Sequence, residues 1–418
     1  MLTSICGINW GDEGKGRMVD LLSSDYDIVC RYQGGNNAGH TVINDKGKFI
    51  LNLLPSGILR EDVVNVMGPG MVIDLKHLCG EIQKLRASGI KITPENLKIS
   101  DKAIITMPYN IMQDIMEEDR LAKATGKPYG STRRGIAPVY ADKYLKKAFR
   151  MGELLNPEIL YKRLPDIVDW KNMTIKAYGF TPISVADMKA YFEEYGAHLT
   201  EYIVDTGMYL NKAHAEGKKI MFEAQLGALR DIDYGIVPYT SSSSTIAAYA
   251  PIGAGVPNLK LDKSIGIMKA YSSCVGAGPF TCEYFGEKAD KLRELGGEYG
   301  AATGRPRRVG PFDVVASRYG IMCQGADEIA LTKLDVLDDY DEIEICTRYE
   351  LNGKLIDHFP FTDVLDECKP VFEKVKGWHC DISHCRKASD LPKEALDYIK
   401  LIEKLCGCKI KYVSVGAQ

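Results

Sequence analysis

Two glycine-rich turns near the start of the chain hold the residues most able to do chemistry. The first is Gly11-Asp12-Glu13-Gly14-Lys15-Gly16, and the second is Gly34-Gly35-Asn36-Asn37-Ala38-Gly39-His40. Each follows a short apolar run that predicts a β-strand, and backbone N–H groups in such turns bind phosphate oxygens. The spacing therefore predicts two neighbouring phosphate-handling loops.

The first turn differs from a Walker A loop, which needs G-x-x-x-x-G-K-[ST]. Asn9 takes the place of the first glycine, and Gly16 takes the place of the metal-binding hydroxyl residue. A carboxylate inside a phosphate loop repels anions unless a divalent cation or a protonated group joins it. Asp12 is therefore a candidate Mg²⁺ ligand, a catalytic base, or both. The alternative is a solvated turn in which Asp12 only caps the next helix.

The second turn ends in a histidine placed for catalysis. Gly34, Gly35 and Gly39 allow the backbone to approach a ligand, and the asparagines add neutral donors. His40 follows a predicted strand in this turn, where a neutral or protonated imidazole can face charge developing on a substrate oxygen.

Two further segments carry recognition chemistry. Thr332-Lys333-Leu334-Asp335 follows an apolar strand and matches the [NT]-K-x-D pattern, in which one carboxylate accepts two hydrogen bonds from guanine. Together with the two phosphate loops, this pattern predicts GTP binding. Arg305, Arg307 and Arg308 lie in a Gly/Thr/Pro-rich loop, where guanidinium groups can close over an anionic substrate.

The elements that position these residues alternate along the chain. Predicted strands are separated by helices and long crossovers, which favours an α/β fold with a mostly parallel central sheet covered by helices. We predict a helix over Asp74–Ser88, a strand over Phe49–Leu54 and a strand over Glu328–Thr332. The chain is expected to form one large domain, 1–418, with a largely helical insertion at 107–217 that includes a predicted helix over Val185–Glu216.

Composition limits the classes of partner. The 418 residues are 45% hydrophobic and 26% charged with a net charge of −3, so a large core is available and nucleic acid is an unlikely partner. We find no signal peptide and no apolar run of membrane-spanning length, and we expect a cytoplasmic protein without membrane contact. The twelve cysteines are expected to be reduced. A cluster near His379–Cys385 and Cys406–Cys408 could supply zinc ligands, but its spacing matches no standard site, which favours ordinary thiols.

Seven motifs in order give the chain a family resemblance. It resembles the adenylosuccinate synthetases through WGDEGKG (10–16), RYQGGNNAGHTV (31–42), PSGIL (55–59), DID (231–233), KAYS with VGAGPF (269–280), TGRPRR (303–308) and LTKLDVLD (331–338). The resemblance implies a P-loop-NTPase-like α/β fold without a true Walker A loop, and a homodimer. It implies a ligase of purine biosynthesis that condenses IMP with L-aspartate to adenylosuccinate, uses GTP and Mg²⁺, and passes through 6-phosphoryl-IMP.

The resemblance also assigns residues by position. Asp12 is implied as the base that takes the purine N1 proton, His40 as the acid at the 6-oxygen and Lys15 as a third catalytic residue, with Asp12 and the Gly39 carbonyl as metal contacts. The implied GTP-binding residues are Gly11, Asp12, Glu13, Gly14, Lys15, Gly16, Arg17, Gly39, His40, Thr41, Arg307, Lys333, Leu334, Asp335, Ser414, Val415 and Gly416. The implied IMP-binding residues are Asp12, Glu13, Gly14, Lys15, Asn37, Ala38, Gly39, His40, Thr132, Lys146, Gln225, Leu226, Ser241 and Arg305. The implied aspartate-binding residues are Ala301, Ala302, Thr303, Gly304, Arg305 and Arg307.

Departures from the family pattern fall in the substrate pockets. Leu226 stands where the family has a nucleotide-contacting amide, with Gln225 one place early, and Ser241 replaces a threonine. Lys146 replaces an arginine that reaches the neighbouring subunit's IMP, and Pro306 replaces an arginine of the substrate loop. Two alternatives stay open. One is a related enzyme acting on another 6-oxopurine nucleotide, such as a guanine or deoxy form, or with another amine donor; the other is a non-catalytic guanine-nucleotide-binding module.

Overall fold

The computed structural model of the chain describes residues 1–44, 47–300 and 304–416. The strands are β1 (Leu2–Gly7), β2 (Ile28–Arg31), β3 (His40–Asn44), β4 (Gly47–Leu51), β5 (Val64–Met67), β6 (Val72–Asp74), β7 (Leu97–Ser100), β8 (Ile104–Thr106), β9 (Ile203–Val204), β10 (Ile220–Glu223), β11 (Lys263–Lys269), β12 (Ser272–Cys274), β13 (Arg308–Gly310), β14 (Phe312–Asp313), β15 (Glu328–Thr332), β16 (Glu342–Leu351), β17 (Lys354–Ile356), β18 (Lys369–Lys376) and β19 (Ile410–Val413). The α-helices are α1 (Lys15–Leu22), α2 (Leu75–Ala87), α3 (Pro108–Thr125), α4 (Ile136–Tyr144), α5 (Pro157–Ala177), α6 (Val185–Tyr191), α7 (Thr206–Ala215), α8 (Ala250–Ala254), α9 (Glu287–Gly296), α10 (Val314–Gln324), α11 (Thr362–Leu365) and α12 (Lys393–Cys406).

A nine-stranded sheet forms the centre of the molecule. Its strand order is β19-β15-β11-β1-β10-β2-β5-β7-β9, and every neighbouring pair in it is parallel. All residues of β1, β2 and β10 are buried, as expected for strands covered on both faces. The predicted α/β fold with a mostly parallel, helix-covered sheet is confirmed.

The parallel arrangement brings many loops to one edge. Because the strands run the same way, their carboxyl ends meet at the same side of the sheet. The six adjacent strands from β19 to β2 end at Val413, Thr332, Lys269, Gly7, Glu223 and Arg31. The loops that follow these six ends contain most of the residues expected to do chemistry.

Two of the predicted elements agree closely with the structure. Helix α2 spans Leu75–Ala87, and the Asp74 side chain accepts a hydrogen bond from the His77 N–H at 3.0 Å as the helix cap. Strand β15 has the predicted bounds Glu328–Thr332.

The predicted strand over Phe49–Leu54 was wrong beyond Leu51. Strand β4 ends there, because the buried Glu81 carboxylate accepts hydrogen bonds from the N–H groups of the next three residues. These donors therefore do not pair with another strand.

The predicted helix over Val185–Glu216 was wrong. Helix α6 ends at Tyr191, and the chain passes through two irregular helical turns before it enters β9. Strand β9 pairs with β7 at the edge of the central sheet, and the Asp205 side chain starts α7 by accepting from the Met208 N–H at 2.9 Å. The capping residue and the sheet contact outweigh the helical periodicity of this segment.

Residues 107–217 contain helices α3 to α7 and strand β9. Their apolar side chains join those of β4, β5, β7 and α2 in the largest apolar cluster of the described residues. That the segment is an insertion within one domain stays a prediction. Among the described residues, no helix is long and apolar enough to cross a membrane.

Candidate active site

The first glycine turn, between β1 and α1, is folded around its own glutamate. Gly11, Asp12 and Gly14 have φ values of 98°, 64° and 96°. The Glu13 carboxylate accepts the N–H groups of Asn9 and Gly11 at 3.1 and 2.8 Å. It also forms a 2.6 Å ion pair with the Lys15 ammonium, and both side chains are about 3% exposed. Some backbone N–H groups of this turn therefore bind its own glutamate rather than a phosphate, unlike those of a Walker A loop.

Close packing at the start of helix α1 explains why residue 16 is a glycine and not the Ser or Thr of a Walker A loop. A Cβ added at Gly16 would lie 2.8 Å from the His40 Cβ, so the second glycine turn and the first helical turn approach too closely for a side chain at this position. The close approach places His40 beside the first turn.

Asp12 projects into solvent at the open side of the turn. Its side chain is 36% exposed and contacts the Arg307 guanidinium. The Gly39 carbonyl belongs to an exposed residue directly before β3. In the described part of the chain, no group of three or more His, Cys, Asp or Glu side chains could hold a metal ion. One accessible carboxylate and one carbonyl still suit Mg²⁺, which binds to proteins through few side chains and takes its other ligands from water and phosphates.

His40 is held by a buried glutamate at the end of strand β10. Its Nδ1 lies 2.5 Å from Oε1 of Glu223, the last residue of β10. The same carboxylate accepts hydrogen bonds from the Ser56 N–H at 2.7 Å and the Ser56 hydroxyl at 2.6 Å. The imidazole Nε2 is buried without a hydrogen-bond partner in the residues that the structure describes. Because Nδ1 faces the carboxylate, Nε2 is the atom left to meet a substrate.

The charges of this pair are set by burial and by one another. Burial lowers the pKa of His40 below its ordinary value, although the Glu223 carboxylate opposes the shift. Burial raises the pKa of Glu223, but the attraction of His40 and Arg31 and the Ser56 hydrogen bond outweigh it, and the net pKa is lowered. Glu223 is therefore ionised at neutral pH. Nδ1 of His40 faces this ionised carboxylate.

The turn predicted to recognise guanine follows β15, which lies two strands away from β1 in the sheet. Lys333 has a φ of 58°, and its ammonium donates to the Gly296 carbonyl at 2.6 Å. The Leu334 N–H donates to the Ser414 carbonyl at 3.1 Å, which joins this turn to the segment after β19 that also contains Val415 and Gly416. Burial raises the pKa of Asp335, and burial lowers the pKa of Arg17, whose charge interacts with that carboxylate. The turn is connected to the first glycine loop, because the Thr332 hydroxyl donates to the Glu13 carbonyl at 2.7 Å.

The altered motif after β10 turns its amide inward. Gln225 is fully buried, and its Nε2 donates to the Gly35 carbonyl at 3.2 Å and to Asn37 Oδ1 at 3.1 Å. Leu226 has a φ of 63°, unusual for a branched side chain, and a Cβ added at Gly11 would lie 3.5 Å from its Cδ2. The amide therefore ties two loops together, and the apolar side chain takes the position beside the first turn.

The remaining residues assigned to IMP have the following surroundings. Ser241 is half-buried, and its hydroxyl lies 3.2 Å from that of Ser243. Thr132 is exposed in a loop that touches the 274–280 segment, where a Cβ on Gly130 would lie 3.3 Å from the Ala277 nitrogen. Ala38 is half-buried, and its carbonyl accepts a 3.0 Å hydrogen bond from Asn52.

Lys146 lies on the surface of the chain. It is exposed just after α4 with a φ of 62°, and it has no ion-pair partner among the described residues. Tyr144 and Leu145 beside it are 79% and 55% exposed.

The loop assigned to aspartate is described in part. Ala301, Ala302 and Thr303 lie outside the described residues, and Gly304 and Arg305 are exposed. Arg307 is 13% exposed and bonds to Asp12 and to Glu298. On the nucleotide side, Thr41 is exposed in β3.

Sequence reasoning missed three residues of the site. Glu223 and Ser56 hold the imidazole, and Glu298 holds Arg307. A carboxylate at the end of a fully apolar strand was a usable signal for Glu223, because charged residues are rarely buried without a partner. Neither Ser56 nor Glu298 carried a comparable signal.

Comparison with known proteins identifies the family. The family model "Adenylosuccinate synthetase" matches residues 4–418. The chain belongs to the adenylosuccinate synthetase family.

Individual members of the adenylosuccinate synthetase family align over nearly the whole chain. The adenylosuccinate synthetase of Streptococcus gordonii is 42% identical over 414 residues, with 99% of this chain and 95% of that protein covered. That of Caldanaerobacter subterraneus subsp. tengcongensis is also 42% identical, with coverages of 100% and 97%. The structure of the fully ligated enzyme from Plasmodium falciparum superimposes with a TM-score of 0.93 at 36% identity, covering 100% of this chain and 97% of that one.

A more distant structure shows the fold alone. The succinoaminodeoxyadenylate synthetase of cyanophage S-2L has a TM-score of 0.55 at 19% identity, with 80% of this chain and 85% of that chain covered.

Proposed function

We propose that Asp12 and His40 catalyse the family reaction in the cleft at the carboxyl edge of the sheet. The chain is a GTP-dependent ligase that condenses IMP with L-aspartate to adenylosuccinate and releases GDP and phosphate. The observation that carries the residue assignment is His40 Nε2, which is buried, unpartnered among the described residues and backed by an ionised glutamate.

The first step activates a poor leaving group. Asp12, accessible at the open side of its turn, takes the proton from N1 of IMP, and the resulting 6-oxygen attacks the γ-phosphorus of GTP. The P–O bond to GDP breaks, which gives 6-phosphoryl-IMP. The anionic nucleotides raise the pKa of His40, so that its protonated Nε2 donates to the 6-oxygen.

The second step forms the carbon–nitrogen bond. The amine of aspartate attacks C6, phosphate leaves, and the amine proton passes to a base in the site. Lys15 offsets charge on the phosphoryl group, and in this role its ammonium is shared between Glu13 and the phosphoryl oxygens.

Asp12 and the Gly39 carbonyl are the protein groups that would hold Mg²⁺. When bound, the ion neutralises charge between the phosphates. The remaining GTP contacts are assigned to the first turn, to Arg307, and to the turn formed by residues 333–335 and 414–416. Asp335 accepts from guanine there.

The IMP and aspartate sites are assigned from the residues named by the family pattern. Asn37, Thr132, Ser241 and the backbone of Gln225 and Leu226 face IMP, and the loop 301–307 closes on aspartate with Arg305 and Arg307. The side chain of Leu226 supplies no hydrogen bond there, so a related enzyme that acts on another 6-oxopurine nucleotide is the second candidate.

The proposed active unit is a homodimer in which Lys146 reaches the partner's IMP. The exposed Tyr144 and Leu145 beside Lys146 support an interface at this surface. Mixing inactive Asp12→Asn and Lys146→Ala proteins tests it. Random exchange makes half of the dimers mixed, and each mixed dimer has one intact site of two, which gives about a quarter of wild-type activity. Absence of recovery, with exchange verified by mass, contradicts the shared site.

A substrate panel tests the reaction itself. The purified chain with Mg²⁺, GTP, aspartate and each of IMP, dIMP, GMP and dGMP is followed by mass spectrometry. We expect adenylosuccinate from IMP; no product with IMP contradicts the proposal, and a better substrate among the others supports the second candidate. Asp12→Asn should lower turnover by orders of magnitude while GTP still binds, and Asp25→Asn, an exposed aspartate, is the matched control.

A further inference from the structure

Glu298 is a buried carboxylate that contacts three cations, of which Lys269 and Arg307 are 3% and 13% exposed and Lys333 is 37% exposed. The Glu298 side chain is 0% exposed, and Oε1 accepts from the Lys269 ammonium at 2.7 Å, from the Lys333 ammonium at 3.1 Å and from the Tyr271 hydroxyl. Its Oε2 accepts from Arg307 Nη1 at 2.8 Å. One carboxylate therefore contacts the guanine-recognition turn through Lys333 and the substrate loop through Arg307.

Backbone contacts fix the same residue at the base of the substrate loop. The Arg307 N–H donates to the Glu298 carbonyl at 2.9 Å, and the Gly300 N–H donates to the Arg305 carbonyl at 2.8 Å. Glu298 lies just before the loop and Arg307 lies at its end, and the two residues bond to each other through backbone and side chain. The side-chain pair and the backbone pair hold Arg307 at one position.

The charge balance around Glu298 favours an anion. Lys269, Lys333 and Arg307 carry three positive charges, and Glu298 and Asp12 carry two negative ones. Arg307 uses one nitrogen on each carboxylate, and its Nε is buried without a partner among the described residues. A carboxylate or phosphate can therefore bind Arg307 while Glu298 keeps its hold on the other side of the guanidinium.

We propose that Glu298 is a positioning residue that holds Lys333 for the guanine nucleotide and Arg307 for the anionic amine donor. The inference rests on the proposed function for these two ligands. A single buried carboxylate links the two binding sites, because loss of its charge loosens both cations together.

The test compares Glu298→Gln with wild type in steady-state kinetics. The amide keeps the shape of the carboxylate, but its NH₂ group faces a cation that donated a hydrogen bond to the carboxylate. We expect the KM values for GTP and aspartate each to rise about tenfold, with kcat within threefold and a smaller change for IMP. Glu294→Gln, an exposed glutamate on helix α9, which ends just before Glu298, should change none of these values.

A purely structural role gives a different pattern. A lowered kcat with both KM values unchanged, or an increase for only one of the two ligands, overturns the proposal. Arg307→Lys keeps the charge but cannot bond both carboxylates, so it should raise the aspartate KM by a similar factor. The double variant should raise it no further than the larger single effect, because both changes break one link. If the effects of the two substitutions add, the proposal is overturned. If Glu298→Gln fails to fold, Arg307→Lys still tests the role of Arg307 in aspartate binding.

Calorimetry with GDP separates this inference from the reaction. We expect GDP to bind Glu298→Gln about tenfold more weakly than wild type. If the wild-type chain makes no adenylosuccinate but GDP binding shows this loss, the reaction proposal fails while the role of Glu298 at Lys333 stands. Equal GDP affinity in the two proteins overturns the role of Glu298 whatever the reaction.

Discussion

Glu223→Gln is the substitution that best tests the role of His40. The carboxylate accepts from Nδ1 of His40 through one oxygen and from the Ser56 N–H through the other. An amide has only one oxygen, so if it accepts from the Ser56 N–H, its NH₂ group faces Nδ1. The imidazole must then accept at Nδ1 and carry its proton on Nε2, as a neutral ring without an ionised partner.

The size of the effect follows from the lost charge. A hydrogen bond to a charged group contributes about 1.5–3 kcal/mol, or about one to two pKa units at 1.36 kcal/mol per unit. The pKa of His40 is already lowered by burial, and it should fall further by about that amount. The protonated fraction at neutral pH then drops about 10- to 100-fold, and we expect kcat to fall about 100-fold, within the range for a lost general acid.

Two measurements decide the question. NMR titration of histidine-labelled protein should show the His40 signal, assigned with His40→Gln, titrating at lower pH in Glu223→Gln than in wild type. The alkaline loss of kcat/KM should move to lower pH in parallel. Glu61→Gln, an exposed glutamate, is the control. A kcat within fivefold of wild type, or a His40 pKa that is unchanged or raised, would refute the reasoning.

Three further substitutions test separate parts of the site. Asp335→Asn should raise the KM for GTP about 100-fold and favour a xanthine nucleotide, because an amide offers one acceptor to guanine but can donate to a 2-oxo group; equal use of GTP by both proteins argues against the guanine assignment. The cations around Glu298 hold its pKa well below the ordinary 4.5, so the stability that it contributes is present above pH 4.5 and is lost as the pH falls. The free energy of unfolding measured in urea should therefore fall more steeply below pH 4.5 in wild type than in Glu298→Gln, by up to about 1.4 kcal/mol per pH unit, and equal slopes would contradict the ionised buried carboxylate. Gly34→Ala places a Cβ 1.8 Å from Gln225 Oε1 at a φ of 79°, so we expect at least a tenfold higher KM for IMP and a lower thermal midpoint, and a fully active, equally stable variant would show that Gln225 is free to move.

The sequence was sufficient to predict the fold class and the loops that carry chemistry. Both glycine turns follow buried apolar strands, and the left-handed φ values at Gly11 and Gly14 are what glycine permits. Parallel order then follows from alternation of strands and helices, and parallel order alone brings the loop ends together. The catalytic and binding roles of these residues stay predictions.

Contacts between distant segments could not be read from local pattern. His40 and Glu223 are 183 residues apart in the chain, and Asp12, in the turn after β1, meets Arg307, which lies directly before β13. The helix predicted over Val185–Glu216 failed for the same reason, since the partner strand β7 lies about a hundred residues earlier.

The unusual motif after β10 keeps the loops of the fold tied together but removes an amide that the family pattern assigns to the substrate. Gln225 occupies space that Gly34 leaves open and bonds to Gly35 and Asn37, so the second glycine turn gains a tie. Glu223, two residues earlier, contacts His40. What differs from the family pattern is the group beside Gly11, where Leu226 presents methyl groups in place of an amide. A site that loses a hydrogen-bonding group loses discrimination between nucleotides that differ in that bond, whereas phosphoryl transfer depends on the unchanged loops. The departure of this chain from its family should therefore appear in nucleotide selectivity rather than in turnover of IMP.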